Sequence, residues 1–168
     1  YQVDCSVTPR VNWRNAKGAP QGNGGTNYQH FPDHAYFMDL DNISRAGNSP
    51  LLEVPMSIQY KHPAWLNTIK QGYDRLRGKY RSPSVNWLRP SGGNAAQMIQ
   101  VAQQCLSQGS EYVEFMLHSS EFMPGGSPTF KDEAAIEVLY QDLETLFGWL
   151  SDKTVGMTLA EFYQYKKK

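Results

Sequence analysis

Three short apolar runs, each followed by a helical stripe, constrain this chain more than any other feature. LLEVPMSI at 51–58 precedes a face made of Trp65, Leu66, Ile69, Tyr73, Leu76 and Tyr80. SVNWLRP at 84–90 precedes Met98, Val101, Ala102 and Cys105. EYVEFMLH at 111–118 precedes Ile136, Leu139, Tyr140, Leu143, Leu146, Phe147 and Leu150. Apolar runs of about four to eight residues bounded by turn residues read as strands, and apolar positions spaced by three and four read as one side of a helix. A strand, a helix and a further strand in that order demand parallel pairing, because the crossover returns the chain to the same end of the sheet.

The expected fold class is therefore α/β, a layer or barrel. Val3, Cys5 and Val7 alternate with Gln2, Asp4 and Ser6 and add a strand at the start. Four parallel strands are expected near 2–7, 51–58, 84–89 and 111–117, with helices packed outside. Local signals agree. Pro55 marks an edge or bulge, Pro63 suits a first helical turn, Asn94 can cap the second helix, and Gly109 can end it. Thr129 and Asp132 resemble a capping box with Asp in place of Glu or Gln.

Between the first two strands, residues 10–50 are rich in Gly, Asn, Asp and Pro, including QGNGGTN at 21–27. Most connections run to about 4–6 residues, so this reads as a long irregular loop region, functional or partly disordered. The 168 residues suit a single domain, 1–168, with a sizeable core. Sixteen basic and sixteen acidic residues cancel, so the whole chain has no net field to draw nucleic acid or an anionic membrane. No run approaches the roughly 20 apolar residues of a membrane span. Cys5 and Cys105 are expected as free thiols rather than a bridge, which points to the cytoplasm. The chain opens at Tyr1 already in strand-like alternation, as if cut from a longer one whose earlier strands are missing. Those absent strands would leave an open sheet edge for the missing N-terminal half or another copy.

In parallel α/β folds, ligands gather beyond the carboxyl ends of the strands. That rule places His118, Ser119, Ser120 and Glu121, Arg89, Ser57 and Gln59, and Asp4, Ser6 and Thr8 on one functional rim. Every strand end also needs polar residues, so each one alone is equally a loop residue. HFPDH at 30–34 has two histidines at helical metal-ligand spacing, but Pro32 and its loop composition argue against that helix, and a chance pair is the expectation. His62, before Pro63, reads as a surface residue. No GxSxG elbow is present, and Ser119 adjoins His118 with their side chains directed apart, so serine-histidine hydrolysis is set aside.

The ordered set VDCSVTPRVNW, LLEVPMSI, NWLRP and FMLHSSEFMPGGSPTF, with MTLAEF at 157–162, resembles the C-terminal half of a NodB-type polysaccharide deacetylase-like protein of the kind associated with bacterial surface polysaccharides. The resemblance implies a distorted, incomplete (β/α) barrel of the glycoside hydrolase/deacetylase type, lacking its N-terminal strands. It implies part of a hydrolase that removes N- or O-acetyl groups from a surface polysaccharide, oligosaccharide or precursor, with a divalent metal, usually zinc. The family's paired-aspartate and HxxxH motifs that hold the metal are not in this sequence. No metal is expected on this chain alone, which should not turn over by itself. His118 falls on the family's general acid, which protonates the leaving group. Ser119 and Glu121 would orient its ring, touch sugar hydroxyls or cap the turn. Trp87 and Trp13 would stack on a pyranose or pack in the core. Arg89 would bind a carboxylate or carbonyl oxygen, or form a surface ion pair, and Asp4 would line the substrate side. The alternative is a non-catalytic module that binds carbohydrate or a partner protein through the same rim.

Overall fold

The helix Glu133–Leu150 buries Ile136, Leu139, Leu143, Leu146 and Leu150 along the stripe its sequence prescribes. In the computed structural model, which describes residues 1–16, 21–78 and 84–168, it lies against the helix Ala95–Ser107. Their shared core is Met98, Val101, Ala102 and Cys105 with Leu88, Leu146 and Leu150. The element order is β1 (Val3–Asp4), β2 (Tyr36–Phe37), β3 (Leu52–Glu53), β4 (Ile58–Tyr60), α1 (Ala64–Leu76), β5 (Val85–Trp87), α2 (Ala95–Ser107), α3 (Glu133–Leu150) and α4 (Leu159–Lys166).

The architecture is mixed α/β with small sheets and no closed barrel among the described residues. Four parallel strands in one sheet are not what forms. β1 and β3 do pair in parallel, Val3 opposite Leu52 and Asp4 opposite Glu53. β2 then adds to β3 antiparallel, and β4 pairs antiparallel with β5 in a separate sheet, Ile58 opposite Trp87. The expected strand 51–58 breaks in the middle. Pro55 has no N–H to give a ladder, and after it Met56 bonds to Val7 O while Ser57 bonds to Glu114 O. Once the run is broken, its second half can reverse its pairing. Residues 111–117 join no ladder; Ser57 N to Glu114 O and Met116 N to Leu88 O tie them to the β4–β5 sheet.

The region 10–50 is more structured than its composition suggests. It supplies β2, and Asn12 and Asn27 form an isolated antiparallel bridge. Tyr36 lies buried with its hydroxyl donating to Ile43 O at 2.7 Å. Against this sheet pack α4 residues Phe162 and Tyr163, with Leu52 and Val54. α4 begins with a Thr158–Glu161 capping box, a signal present in TLAE.

Two expected caps are corrected. Asn94 does not cap α2 with its side chain; it accepts from Ser91 N and donates to Arg89 O. The free N–H groups of that helix start go to Asp142 of α3, which accepts from Gly93, Asn94 and Ala95 at 2.7, 3.2 and 3.0 Å. Asp132 rather than Thr129 caps α3, accepting from Ala135 N. The helical face predicted from Trp65 to Leu76 forms as α1 but turns outward: Trp65, Ile69, Tyr73 and Leu76 are exposed, and Asn67 is the buried residue. Tyr80 lies outside the described residues. Both cysteines are free thiols. No helix among the described residues is long and apolar enough to cross a membrane.

Candidate functional site

β5 delivers two of the site's side chains. Leu88, just beyond it, is buried in the α2–α3 core. Trp87, which ends β5, and Arg89, in the bend after it, flank Leu88 and stay half-buried outside that core. There Trp87 meets Trp13, ring centroids 5.7 Å apart and tilted by 54°. The Trp13 Nε1–H donates to Thr8 Oγ1 at 2.7 Å, which fixes the indole and accounts for buried Thr8. The two half-buried indoles form one aromatic surface.

Arg89 leads to the other half of the site. Its Nη2 donates to Glu121 Oε1 at 2.9 Å, and Glu121 Oε2 accepts the His118 backbone N–H at 2.9 Å. Glu121 is 2% exposed. Burial opposes its ionisation, but the His118 N–H and the Arg89 guanidinium outweigh burial and hold its carboxyl below the usual range. One carboxylate thus locks the turn that begins at His118, a short 3₁₀ turn over Ser119–Phe122. Gly126 makes the fit possible: a Cβ there would lie 2.1 Å from Ser120 O. The chain must therefore fold its PGGSP turn directly onto the His118 turn, with Phe130 fully buried beneath.

His118 is exposed, and so are Ser119 and Ser120. The structure brings His118, Arg89 and Glu121 into one connected unit and puts Trp87, the last residue of β5, two positions before Arg89. Glu121 faces inward, toward Arg89 and the turn. Asp4 stands elsewhere. Its carboxylate takes Cys5 N and Ser6 Oγ, and among the described residues no hydrogen bond or ion pair joins it to His118 or Arg89. Ser57 and Gln59 are buried; Ser57 Oγ accepts from Glu114 N, and Gln59 Nε2 donates to Gln108 Oε1 and Cys105 Sγ. The rim expected from strand ends is therefore split, because the strands that carry these residues belong to two sheets.

Two polar features escaped the sequence. Arg10 sits at φ 69°, a left-handed backbone that only about a few per cent of non-glycine residues adopt. Its guanidinium binds Ile58 O, Gln59 Oε1 and Asp33 Oδ2 and lies 4.6 Å from the Tyr60 ring centroid, on the wall of a polar cavity of about 310 Å³. Nothing local in TPRVN foretells that φ. Glu53, wholly buried, accepts Val7 N through Oε1. Its Oε2, like that of Glu114, is buried without a partner among the described residues. Burial raises Glu53 to about 7, and burial together with the Glu53 charge raises Glu114 to about 8. Burial, then Glu114, Glu53 and Asp4, push the Cys5 thiol up to about 12, which makes it a poor nucleophile. The alternation of LLEVP and YVEFM was the available signal: each places a glutamate inside an apolar run.

His30 and His34 are exposed in loop, and His34 meets only Asp33, at 3.7 Å. Among the described residues no group of three or more His, Cys, Asp and Glu side chains is placed to hold a metal ion. Compared with family models, curated proteins and solved structures, the chain matches none of them.

Proposed function

We propose that this chain is the general-acid side of a NodB-like, metal-dependent carbohydrate deacetylase, its mixed α/β architecture being part of a distorted (β/α) barrel. The observation that carries the reading is an exposed His118 held by a buried carboxylate that also pairs with Arg89. An imidazole fixed at its backbone and open to solvent can meet a leaving atom and hand it a proton. As the carbon–nitrogen or carbon–oxygen bond of the tetrahedral intermediate breaks, the imidazolium proton goes to the departing amine or alkoxide and acetate is released. Arg89 directs one guanidinium nitrogen to Glu121 and keeps further donors for a sugar carboxylate or carbonyl oxygen. In this reading, the divalent metal, zinc in most such enzymes, is held by residues outside these 168.

The test is acetate release from an acetylated oligosaccharide by the full-length protein that carries this chain. His118→Ala should lower the rate by roughly 10²- to 10⁴-fold with metal content unchanged. An activated acetyl ester, whose leaving group needs no proton, should recover most of the loss. Loss of metal in the variant, or no release by the unmodified protein, overturns the reading.

A second reading drops the chemistry and keeps the sugar. The Trp13–Trp87 pair is by itself a surface on which the C–H face of a pyranose can bury. A protein that binds oligosaccharide with the same affinity whether or not His118 is present, and releases no acetate, is a binding module.

A further inference from the structure

The most amphipathic helix of the described chain shows its apolar side to solvent. Trp65, Ile69, Tyr73 and Leu76 are 63%, 62%, 54% and 87% exposed. At about 100° per residue, these four fall within about 80° of arc. Asn67, close to the opposite side of α1, is buried and donates to His62 O, just before the helix, at 3.0 Å. The apolar stripe therefore turns outward, the reverse of a core-facing helix.

Positive charge flanks one border of that stripe. From 61 to 78 the sequence carries Lys61, Lys70, Arg75 and Arg77 against Asp74 alone, although the whole chain is neutral. Lys70 and Arg77 are exposed and follow Tyr73 within about 60° around the helix. The Arg77 guanidinium lies 4.5 Å from the Tyr73 ring centroid.

We propose that α1 is a docking helix that seats the protein on an anionic lipid surface. A short amphipathic helix with Trp, Tyr, Ile and Leu on one side and Lys and Arg along its borders is the pattern that lies in the headgroup plane. The aromatic rings sit at headgroup depth, and the cations at the border reach lipid phosphates while their stems cover acyl carbon. Trp65, Tyr73 and Arg77 would also suit a protein interface and Lys70 would not; a border of one sign of charge matches an anionic surface. The inference is independent of the deacetylase reading; it concerns where the protein works, and either can fail alone.

The experiment is co-sedimentation of the 168-residue chain with vesicles of mixed phosphatidylserine and phosphatidylcholine, and with pure phosphatidylcholine, at low and high salt. The chain is expected on the anionic vesicles, with binding that weakens as salt rises. Trp65→Ala with Ile69→Ala should lower partitioning more than tenfold. Lys70→Glu with Arg77→Glu should lower it at least about 25-fold on anionic vesicles, at roughly fivefold per charge removed. All four residues are exposed, so circular dichroism and unfolding curves should stay those of the unmodified chain. Equal binding to neutral vesicles, no binding to either, or full binding by both variants overturns the proposal. So does a dimer in sedimentation velocity that Trp65→Ala with Ile69→Ala disperses, which would assign the stripe to a second copy.

Discussion

Arg89 and Glu121 form an ion pair of 2.9 Å, and the second oxygen of the same glutamate takes the backbone N–H of His118. A side chain from the end of β5 and the turn beyond residue 117 are thereby fixed to one another through a carboxylate that water does not reach. Glu121→Ala should destabilise the protein by about 2–4 kcal/mol, since it leaves Arg89 half-buried without its partner and frees the turn. Urea unfolding measures it. His118→Ala, by contrast, removes an exposed ring and should change stability by no more than about 0.5 kcal/mol. Equal losses for the two would mean that the histidine is structural.

The indole pair makes a prediction of its own. Trp87→Ala should weaken oligosaccharide binding by roughly tenfold or more, read by titration calorimetry, because stacking area is lost with no donor left behind. Thr8→Val, which only unties the Trp13 indole from its hydroxyl, should weaken it less. Binding unchanged by Trp87→Ala would leave the pair as packing.

Asp142 connects α3 to the start of α2 by accepting three backbone N–H groups. Asp142 is 5% exposed, while Gly93 is exposed and Asn94 and Ala95 are half-buried, so Asp142→Ala leaves three partly desolvated donors without their carboxylate. A loss of about 2–4 kcal/mol is expected, above the usual ~1 kcal/mol for one cap. Asn94→Ala should cost less, because its side chain serves a turn and not the helix. Thermal unfolding of the two variants compares them directly.

Glu53 and Glu114 set a pH dependence opposite to the usual acid loss. Their folded-state values of about 7 and about 8 lie above the ordinary 4.5, so between those limits the folded state holds more protons than the unfolded one. Stability is then fully present below about pH 4.5 as far as this pair is concerned, and it falls as pH rises through 7 to 8. Glu114→Gln should flatten the fall and be the more stable form at pH 8, measured by urea unfolding from pH 5 to about 8.5. A wild-type curve that rises across this range would refute the assignment.

Several local features were readable from residues alone. α2 and α3 carry their apolar stripes where the spacing puts them, and Gly109 at φ 81° ends a helix, whereas Pro55, read as an edge or bulge of one strand, divides it in two. His118, Arg89 and Trp87 could be singled out because polar and aromatic residues closed apolar runs. Not all of their partners could. Asp142 reads in sequence as one more polar position on a helix, and only its place against the start of α2 makes it a cap. Glu121 could be named as a residue that orients His118 or caps the turn, and only the approach of Arg89 makes it a lock.

What the sequence determined by itself is the helical spans α1, α2 and α3 and not every strand, since hydrophobic period and the steric rules of Pro and Gly act over a few residues while 111–117 joins no ladder and β2 arises inside the expected loop. What tertiary structure decided is how those elements face one another. Strand direction was inferred from order alone, but order constrains direction only when each run stays in one sheet. Pro55 let β3 and β4 part into two. The stripe of α1 has the same period whether it meets a core or solvent, so the sequence could say that one side is apolar and not which way it turns. Only in the structure is Asn67 buried, bonded to His62 O, with Trp65, Ile69, Tyr73 and Leu76 left outside.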